Sequence, residues 1–364
     1  MYKEISIFID SLRFNGGFET VCITVINGLF ENNWHLKLLT LDPRGNENLK
    51  KINSAVKCEI LNTKHVRKSF FQVLRWLSVN KPAKILVFGA NFAVLLVILR
   101  FCFRMRFRII SRNVNTLSEK KRNTKSFWQN NIVHNLVFAL YKHVDIIIAQ
   151  SQGMKEDLLK NYGVADYKIT VINNPIQKMI EEYHFNNGTL QKFYYEYVLC
   201  VGKLQTQKAF HYAIEAFASI ANDYPTLRLK ILGQGNLERE LKQQTHDLNI
   251  SDKVDFEGHC HDIIPYYINA RLTLLTSLYE GMPNVLIESI ALGTPIVSFD
   301  CPCGPSEIIH DGINGYLVRY QDIKHLTECI RRALDRQWDS QAIKATANKF
   351  SSVKIIAEYE KVLQ

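Results

Sequence analysis

The sequence lacks the patterns that would assign it at once to several common classes of protein. It has no apolar run near the about 20 residues that a membrane-spanning helix requires, and no internal repeat or low-complexity tract. No D-x-D pair occurs, so nothing supports an obligatory metal held by that motif. The dinucleotide fingerprint G-x-G-x-x-G is also absent. A membrane-spanning protein, a repeat protein and an NAD-dependent dehydrogenase are therefore disfavoured.

The cysteines do not indicate a zinc site. Eight are scattered along the chain without a C-x2-C pair, and Cys301 and Cys303 are too close together and too isolated to bind zinc. Reduced thiols in a cytosolic protein are the plain interpretation. Met1 lies just before a strand-like segment, so we expect no signal peptide.

The composition indicates a globular protein with an uneven charge. A chain of 364 residues, 47% apolar and 22% charged, can form two domains with cores of their own. Residues 1–180 hold 27 Lys and Arg against 12 Asp and Glu, whereas residues 181–364 hold 18 against 23. The charge of +15 in the first half predicts an anionic partner. Since no nucleic-acid-binding module accompanies it, membrane or lipid phosphate is favoured over nucleic acid.

The first half alternates short apolar runs with amphipathic segments, a pattern typical of parallel strands joined by helices. We predict strands at 5–10, 36–41, 56–61, 84–88, 107–111, 145–149 and 168–173, and helices at 18–31, 69–80, 128–143 and 152–161. Gly16 and Gly17 follow the first strand, where they serve either a tight turn or an anion at the helix N-terminus. Ser151 is placed to cap the last of these helices.

One segment of the first half has two possible interpretations. Residues 92–99 are too short to span a membrane and continue into 100–108, where arginines stand beside aromatic residues. The segment is a core helix followed by a strand, or its basic and aromatic residues rest on anionic lipid. Both hold if one face packs inward while the other meets lipid. The basic loop 120–128 is likewise either a solvated charge run or a set of phosphate contacts.

The second half repeats the alternation after a polar, irregular segment at 176–195, which we interpret as an interdomain linker. We predict strands at 197–201, 227–232 and 271–276, and helices at 210–222, 237–248, 284–292 and 353–363.

Two glutamates, Glu280 and Glu288, flank the junction between the strand 271–276 and the helix 284–292. Gly281 lets the backbone approach a ligand closely, and Pro283 suits the first turn of a helix. Ligands of open α/β sheets bind outside the carboxyl ends of the strands, where helix N-termini attract anions. An isolated pair of this spacing is more often two surface glutamates beside an ordinary loop, so its neighbours decide.

The neighbouring motifs form a specific set in a fixed order. They are 278–288 with 291–297, 201–203 with Lys208, 231–235, 254–258, 300–304 with Glu307, and 311–315. Together they resemble the donor-site region of the retaining family 4 glycosyltransferases, which have the GT-B fold. The first half resembles this family more weakly, mainly through residues 15–19.

The resemblance implies an α/β protein of the GT-B fold, with two Rossmann-like domains facing each other across a cleft. Residues 1–175 would form an acceptor- and membrane-facing domain, 176–195 a linker, and 196–350 a nucleotide-sugar-binding domain. The final helix, within 351–364, would return to pack on the N-terminal domain.

The resemblance also implies roles for individual residues. Lys203 and Lys208 would stabilise the leaving diphosphate in place of a metal, although Lys203 stands where the family usually has arginine. Glu280 would lie beside the donor sugar, and Glu288 would accept hydrogen bonds from the ribose hydroxyls. The other implied donor-binding residues are Gly16, Gly17, Gly202, Gly233, Gly258, Gly281, Met282, Pro283, Asn284 and Val285. No protein nucleophile, metal or other cofactor is expected.

Many relatives carry a histidine that contacts the donor sugar at about the position of Asn113. That role cannot be carried over to an asparagine. Asn113 and its neighbour Arg112 are candidates for hydrogen bonds to sugar or acceptor, or Asn113 simply caps a turn.

The resemblance predicts a retaining, metal-independent hexosyltransferase. It would move a hexose or N-acetylhexosamine from a nucleoside-diphosphate sugar, with UDP favoured, to a lipid-diphosphate-linked or saccharide acceptor. Residues 299–307 are similar to a form found in enzymes that build bacterial O-antigen, capsule or exopolysaccharide. We expect a cytoplasmic enzyme on the anionic inner face of the plasma membrane. Two alternatives stay open: a GT-B-fold sugar-nucleotide epimerase, and a non-enzymatic nucleotide-binding peripheral membrane protein. The sequence does not determine the sugar, linkage, acceptor or oligomeric state.

Overall fold

The computed structural model describes residues 3–12, 16–42, 46–63, 65–123, 132–183 and 195–364. These form two compact units, one of Met1–Gln177 with Ser352–Gln364 and the other of Lys178–Ser351. Asn15, residues 124–128 of the predicted basic loop and residues 184–194 of the predicted linker lie outside the described ranges.

The first unit contains a parallel sheet of seven strands among its described residues, in the order β3-β2-β1-β4-β5-β6-β7. The strands are β1 (Glu4–Ile9), β2 (His35–Thr40), β3 (Lys57–Ile60), β4 (Lys84–Phe88), β5 (Arg108–Arg112), β6 (Ile146–Ala149) and β7 (Ile169–Val171). The helices are α1 (Gly17–Glu31), α2 (Asn46–Leu49), α3 (Phe70–Asn80), α4 (Ala90–Cys102), α5 (Leu117–Asn123), α6 (His134–Leu140) and α7 (Gln152–Tyr162). Central strands such as β1 and β4 are buried on both faces, which explains their continuous apolar runs.

The helix α4 is the predicted core helix. Its residues from Ala90 to Val97 are almost all buried, and Phe92 packs against Phe8 of β1 with the ring centroids 5.4 Å apart. Its C-terminal end emerges from the core at Phe101, which is exposed. No helix in the described ranges combines the length and apolar character needed to cross a bilayer.

The second unit contains a six-stranded parallel sheet in the order β10-β9-β8-β11-β12-β13, counted over its described residues. The strands are β8 (Tyr197–Val201), β9 (Arg228–Leu232), β10 (Val254–Gly258), β11 (Leu272–Leu275), β12 (Ile296–Phe299) and β13 (Gly315–Val318). The helices are α8 (Lys178–Glu181), α9 (Phe210–Ala218), α10 (Glu238–Asp247), α11 (Ile264–Asn269), α12 (Asn284–Ala291), α13 (Pro305–Ile308), α14 (Ile323–Asp335) and α15 (Ser340–Ala347).

A buried ion cluster joins the two strands at one edge of this sheet. The Lys230 side chain of β9 donates to Glu257 and, at 3.2 Å, to Asp255 of β10, and also to the Tyr195 hydroxyl at 3.1 Å. Arg228 forms two further hydrogen bonds to Asp255, at 2.8 and 2.5 Å. Burial alone would lower the pKa of Lys230, but its own hydrogen bonds to Glu257, Tyr195 and Asp255 raise that pKa. A lysine is thus held charged inside the unit because anions and a phenol surround it.

The C-terminal helix α16 (Ser352–Leu363) belongs to the first unit and packs on α1. Ile356 lies so close to Gly28 of α1 that a Cβ on that glycine would approach Ile356 Cγ1 to 2.6 Å. Glu360 accepts hydrogen bonds from Lys3 Nζ at 2.9 Å, Asn32 Nδ2 at 2.9 Å and Trp34 Nε1 at 2.8 Å. The prediction of two Rossmann-like sheets with a final helix on the first domain is confirmed.

Several local predictions differ from the structure. The segment interpreted as irregular contains the short helix α8, which contacts α12 of the second unit and buries Ile180. The helix predicted at 210–222 ends at Ala218. Pro283 caps α12 instead of entering its first turn. Of the helix predicted at 128–143, the described α-helical part is His134–Leu140.

The Glu360 cluster predicts a pH-dependent stability. Burial would raise the pKa of Glu360, but the hydrogen bonds from Trp34, Lys3 and Asn32 lower it below its ordinary 4.5. The carboxylate therefore stabilises the folded state above about pH 4.5, and this contribution disappears as the pH falls through the lower folded-state pKa. We expect Glu360→Gln to reduce the free energy of unfolding at pH 7 by about 1–2 kcal/mol, and by progressively less in acid.

Urea denaturation between pH 7 and pH 3 measures this difference. Glu358→Gln on the same helix is the control, because burial raises the pKa of Glu358 and its charge does not favour folding. An equal loss in both variants would contradict the assignment.

Candidate functional site

Two strand-ending loops of the second unit approach each other so closely that they require glycine. A Cβ on Gly233, after β9, would lie 1.8 Å from the carbonyl oxygen of Gly202, after β8. A Cβ on Gly235 would lie 2.1 Å from the carbonyl oxygen of Leu204. Gly202 and Gly233 also have positive φ angles of 153° and 137°. The Gly233 amide donates to the carbonyl of Gly258 at 2.7 Å, so three adjacent strand ends are linked at one edge of the sheet.

The junction between β11 and α12 is supported by the loop that follows β12. The Glu280 amide donates to the carbonyl of Pro302 at 3.1 Å. Gly304 has a φ of 102°, and a Cβ there would lie 2.6 Å from Pro283 Cδ and 3.1 Å from the Gly281 carbonyl oxygen. The turn is therefore held in one conformation immediately before the N-terminus of α12.

Lys208 and Glu280, separated by 72 residues in the sequence, form an ion pair. Lys208 Nζ lies 2.6 Å from Glu280 Oε1, and the side chains are only 15% and 9% exposed. The Thr276 hydroxyl, donating to the carbonyls of Lys208 and Ala209 at 3.2 and 3.1 Å, fixes the backbone on the lysine side. The stem of Lys208 also covers Gly202, where a Cβ would meet Lys208 Cε at 3.1 Å. These contacts place a paired cation and anion beside the glycine loops.

Glu288 of α12 is buried and receives a hydrogen bond that the sequence did not predict. The hydroxyl of Tyr267, on α11, donates to Glu288 Oε2 at 2.9 Å. Burial raises the pKa of Tyr267 and the adjacent Glu288 carboxylate raises it further, so the phenol stays protonated as a donor. The helix is anchored one residue later by the Ser289 hydroxyl, which donates to Thr273 Oγ1 at 2.8 Å.

Cys301 lies near the ion pair of Lys208 and Glu280, but its thiol is not activated as a nucleophile. Burial raises the pKa of its thiol, and the Glu280 carboxylate raises it further. Lys203, by contrast, is exposed on the loop after β8. The structure therefore brings Lys208, Glu280 and the glycines together, and leaves Lys203 at the surface of the same loop.

In the first unit, Gly16 and Gly17 lie at the N-terminus of α1. Gly16 caps the helix in an extended conformation, and a Cβ there would lie 3.0 Å from Glu19 Oε2. Glu19 is buried in the first turn of the helix, and the thiol of Cys22 lies near it. Burial raises the pKa of Cys22, the Arg112 guanidinium lowers it, and Glu19 raises it. The buried carboxylate of Glu19 and the buried guanidinium of Arg112 are thus both close enough to Cys22, near this loop, to affect its pKa.

Arg112 and Asn113 end β5 and are both buried. Arg112 is 1% exposed, donates from Nη2 to Asn174 Oδ1 at 2.5 Å, and lies over the Phe88 ring with 5.7 Å between its guanidinium carbon and the ring centroid. Asn113 Oδ1 accepts from the Val114 amide at 3.0 Å, as a turn cap does. Arg112 Nε and Asn113 Nδ2 have no partner among the described residues. Their sugar- or acceptor-binding role stays a prediction, as do the other residue roles above.

Within the described ranges, no group of three or more His, Cys, Asp or Glu side chains is arranged to hold a metal ion. Lys203 and Lys208 both lie between β8 and α9 and bring two cations to these loops. The arrangement can bind an anion and stabilise negative charge that develops on it.

Comparison with known proteins identifies two family matches that together span most of the chain. Residues 15–178 match Glycosyltransferase Family 4, and residues 181–350 match Glycosyl transferases group 1. The chain is similar to the amylovoran biosynthesis glycosyltransferase AmsD of Erwinia amylovora, with 25% identity over 88% of this chain and 87% of the relative.

A second relative is the N-acetylgalactosamine-N,N'-diacetylbacillosaminyl-diphospho-undecaprenol 4-alpha-N-acetylgalactosaminyltransferase of Campylobacter jejuni. It is 29% identical over 63% of this chain and 62% of the relative. Among solved structures, Anabaena HepE in complex with UDP superimposes with a TM-score of 0.77 at 19% identity, covering 99% of each chain. That last likeness establishes the fold.

The hydrogen bond between Tyr267 and Glu288 yields a test of the site's construction. Tyr267→Phe leaves a buried carboxylate without its phenol donor, so we expect the free energy of unfolding to fall by about 2–3 kcal/mol. Urea denaturation of the purified protein measures it. Tyr197→Phe is the matched control, because its hydroxyl donates to a neutral carbonyl, that of Tyr266, at 2.7 Å and should cost only about 1 kcal/mol. Equal losses would show that the carboxylate does not depend on the phenol.

Proposed function

The chain belongs to the group 1 and family 4 glycosyltransferases. From this premise we propose that it transfers a hexose or N-acetylhexosamine from a UDP-sugar to a lipid-diphosphate-linked glycan. The observation that carries the proposal is the ion pair of Lys208 and Glu280, 2.6 Å apart beside the N-terminus of α12. A diphosphate placed at this helix end meets a cation and the positive end of the helix dipole together.

The first requirement of the reaction is to stabilise the leaving diphosphate. Negative charge develops on its β-phosphate as the bond to the sugar breaks. Lys208 opposes that charge at close range, Lys203 adds a second cation from the same loop, and the amides at the start of α12 contribute their dipoles. Departure of UDP then needs no proton from the protein, because the cations stabilise the product in its charged form.

Glu280 supports the reaction in two ways. In the protein without substrate its carboxylate pairs with Lys208, which holds the lysine in position in a largely buried setting. When a phosphate takes up part of the lysine's hydrogen-bonding capacity, a carboxylate oxygen becomes available to a donor-sugar hydroxyl. The family retains anomeric configuration, and attack on the same face as the departing phosphate requires no protein nucleophile. The raised pKa of the Cys301 thiol agrees with that reaction course.

Glu288 is the proposed ribose ligand. Tyr267 holds its carboxylate in one orientation on α12, one turn beyond the amides that meet the diphosphate. A ribose with adjacent 2′- and 3′-hydroxyls offers two donors to such a carboxylate. We favour uracil as the base of the donor.

The acceptor side of the proposal rests on charge and on the relatives' names. Residues 1–180 carry an excess of 15 positive charges, which suits an acceptor that bears a diphosphate and lies at an anionic membrane. The Campylobacter relative is named for a diphospho-undecaprenol acceptor, and the Erwinia relative for biosynthesis of amylovoran. We therefore place this protein in the assembly of bacterial surface glycans, at the cytoplasmic face of the membrane, without a metal cofactor.

The two glutamates should affect catalysis differently. We expect Glu280→Gln to lower kcat about 100-fold with a smaller change in UDP affinity, because it removes charge at the reacting sugar. Glu288→Ala should weaken UDP binding about 10- to 100-fold, because it removes hydrogen bonds from a charged acceptor to the ribose. Steady-state kinetics and calorimetric titration with UDP separate the two. Glu238→Ala, on α10 outside the site, is the control, and full activity in both site variants would refute the assignment.

A donor panel tests the function itself. Purified protein is incubated with UDP-, GDP- and ADP-sugars, with and without a bacterial lipid extract that contains polyprenyl-diphosphate glycans, and free nucleotide is measured. We expect release of UDP from one donor, dependent on the lipid fraction. A sugar altered without lipid and without nucleotide release would instead identify an epimerase. Tight nucleotide binding with no turnover on any donor would identify a non-enzymatic binding protein.

A further inference from the structure

The first unit carries a group of exposed aromatic rings near exposed cations. Phe71 is 77% exposed, Phe101 58% and Phe103 48%, although all three are large apolar side chains. Lys68 and Arg104 are exposed beside them. We call these five residues the aromatic–basic face. Phe71 and Phe103 both contact the Phe70 ring and so form one exposed apolar group, and an exposed apolar group rimmed by charge marks an interaction site.

Ring contacts tie the aromatic side chains of the aromatic–basic face to neighbouring segments of the chain. Phe70 lies with its ring centroid 5.3 Å from that of Phe71 and 6.3 Å from that of Phe103, so it joins α3 to the turn after α4. Phe101 packs edge-on against His143, with the centroids 5.6 Å apart. The face is therefore a fixed surface made by two separate segments of the chain.

The turn that carries Phe103 is also well defined. The amides of Phe103 and Met105 donate to the carbonyls of Leu99 and Arg100 at 3.0 and 3.1 Å, and Arg104 takes a left-handed conformation with a φ of 50°. Arg100 itself is tied to Asp145 by an ion pair of 2.5 Å. These contacts end α4 in a turn that presents a ring and a guanidinium outward.

The cations of the face are available to a partner. In the described part of the chain, neither Lys68, Arg104 nor the nearby Arg106 forms an ion pair with a carboxylate. A cavity of about 500 Å³ next to the face is lined by Asn62, Thr63, His65, Lys68 and Gln72. Thr63 is only 8% exposed, and its hydroxyl has no hydrogen-bond partner among the described residues. A buried hydroxyl and a lysine on one cavity suit the oxygens of a phosphate.

From this combination we propose that the aromatic–basic face docks the protein on an anionic phospholipid bilayer, with a lipid phosphate in the cavity of Thr63 and Lys68. Aromatic rings are stable at the level of lipid headgroups, where one side of the ring is apolar and the other wet. Arginine and lysine around them meet the negative surface potential of the leaflet. The inference deepens the proposed function, on which it rests for its biological setting, by naming the surface that brings the enzyme to its lipid-linked acceptor.

Vesicle flotation tests the inference directly. Wild-type protein is mixed with vesicles of phosphatidylcholine alone and with vesicles that also contain phosphatidylglycerol, and the bound fraction is measured. We expect binding to the anionic vesicles. Phe71→Ser/Phe103→Ser should lower the partition coefficient by at least about tenfold, because two inserted rings are lost. Lys68→Gln/Arg104→Gln should lower it about fivefold per charge, and on the anionic vesicles only.

Two matched double variants control for general changes to the surface. Tyr167→Ser/Val353→Ser removes two apolar side chains that are 85% and 78% exposed on the same unit but lie outside the face. Lys354→Gln/Lys361→Gln removes two exposed charges from α16. Both should bind anionic vesicles like the wild type. Equal losses in control and face variants would overturn the proposal, because any loss of charge or apolar surface would then suffice.

Calorimetric titration with UDP separates this inference from the proposed function. Face variants that bind UDP normally but fail to float with vesicles support the docking surface. Wild-type protein that releases UDP from a donor but ignores anionic vesicles overturns the docking surface and leaves the transferase intact. Vesicle binding that depends on the face, in a protein inactive on every donor, supports the docking surface and refutes the transferase.

Discussion

The parallel arrangement of the strands decides where the candidate site of the second unit lies. Because β8 to β12 all run the same way, the loops that follow them leave the sheet at one edge. The close approach of Gly233 to Gly202, the pairing of Lys208 with Glu280 and the support of the α12 turn by Gly304 all occur among those loops. Reversing one strand would carry its loop to the opposite edge and remove its residues from the group.

Three charged groups of the candidate sites already have a partner within the protein. Lys208 is paired with Glu280, Glu288 with Tyr267, and Arg112 with Asn174. Burial makes an unpaired charge costly, so a site built from buried charges must be neutralised before the ligand arrives. Ligand binding then exchanges one partner for another, and affinity depends on the difference between the two partners.

The alternation of strands and helices could be predicted because buried strands are short apolar runs bounded by polar residues, as at 84–88 and 197–201. Glu280 and Glu288 could be singled out because they flank one strand–turn–helix junction and the neighbouring motifs resemble the donor-site region of the family. Tyr267 could not, since its contact with Glu288 joins two helices whose packing depends on the whole sheet. The burial of Arg112 could not be predicted for a similar reason. An arginine at a strand end is usually exposed, but here Asn174 and Phe88, from other segments of the chain, enclose it.

The place of α16 in the first unit has a consequence for synthesis of the chain. Ile355, Ile356, Tyr359 and Leu363 belong to the same apolar cluster as α1 and β1. Roughly three hundred residues therefore separate the two ends of one core, and the ribosome must deliver the whole second unit before that core can close. During that interval α1 presents the groove around Gly28 to solvent, which makes the nascent first unit a natural client for chaperones that shield apolar surface.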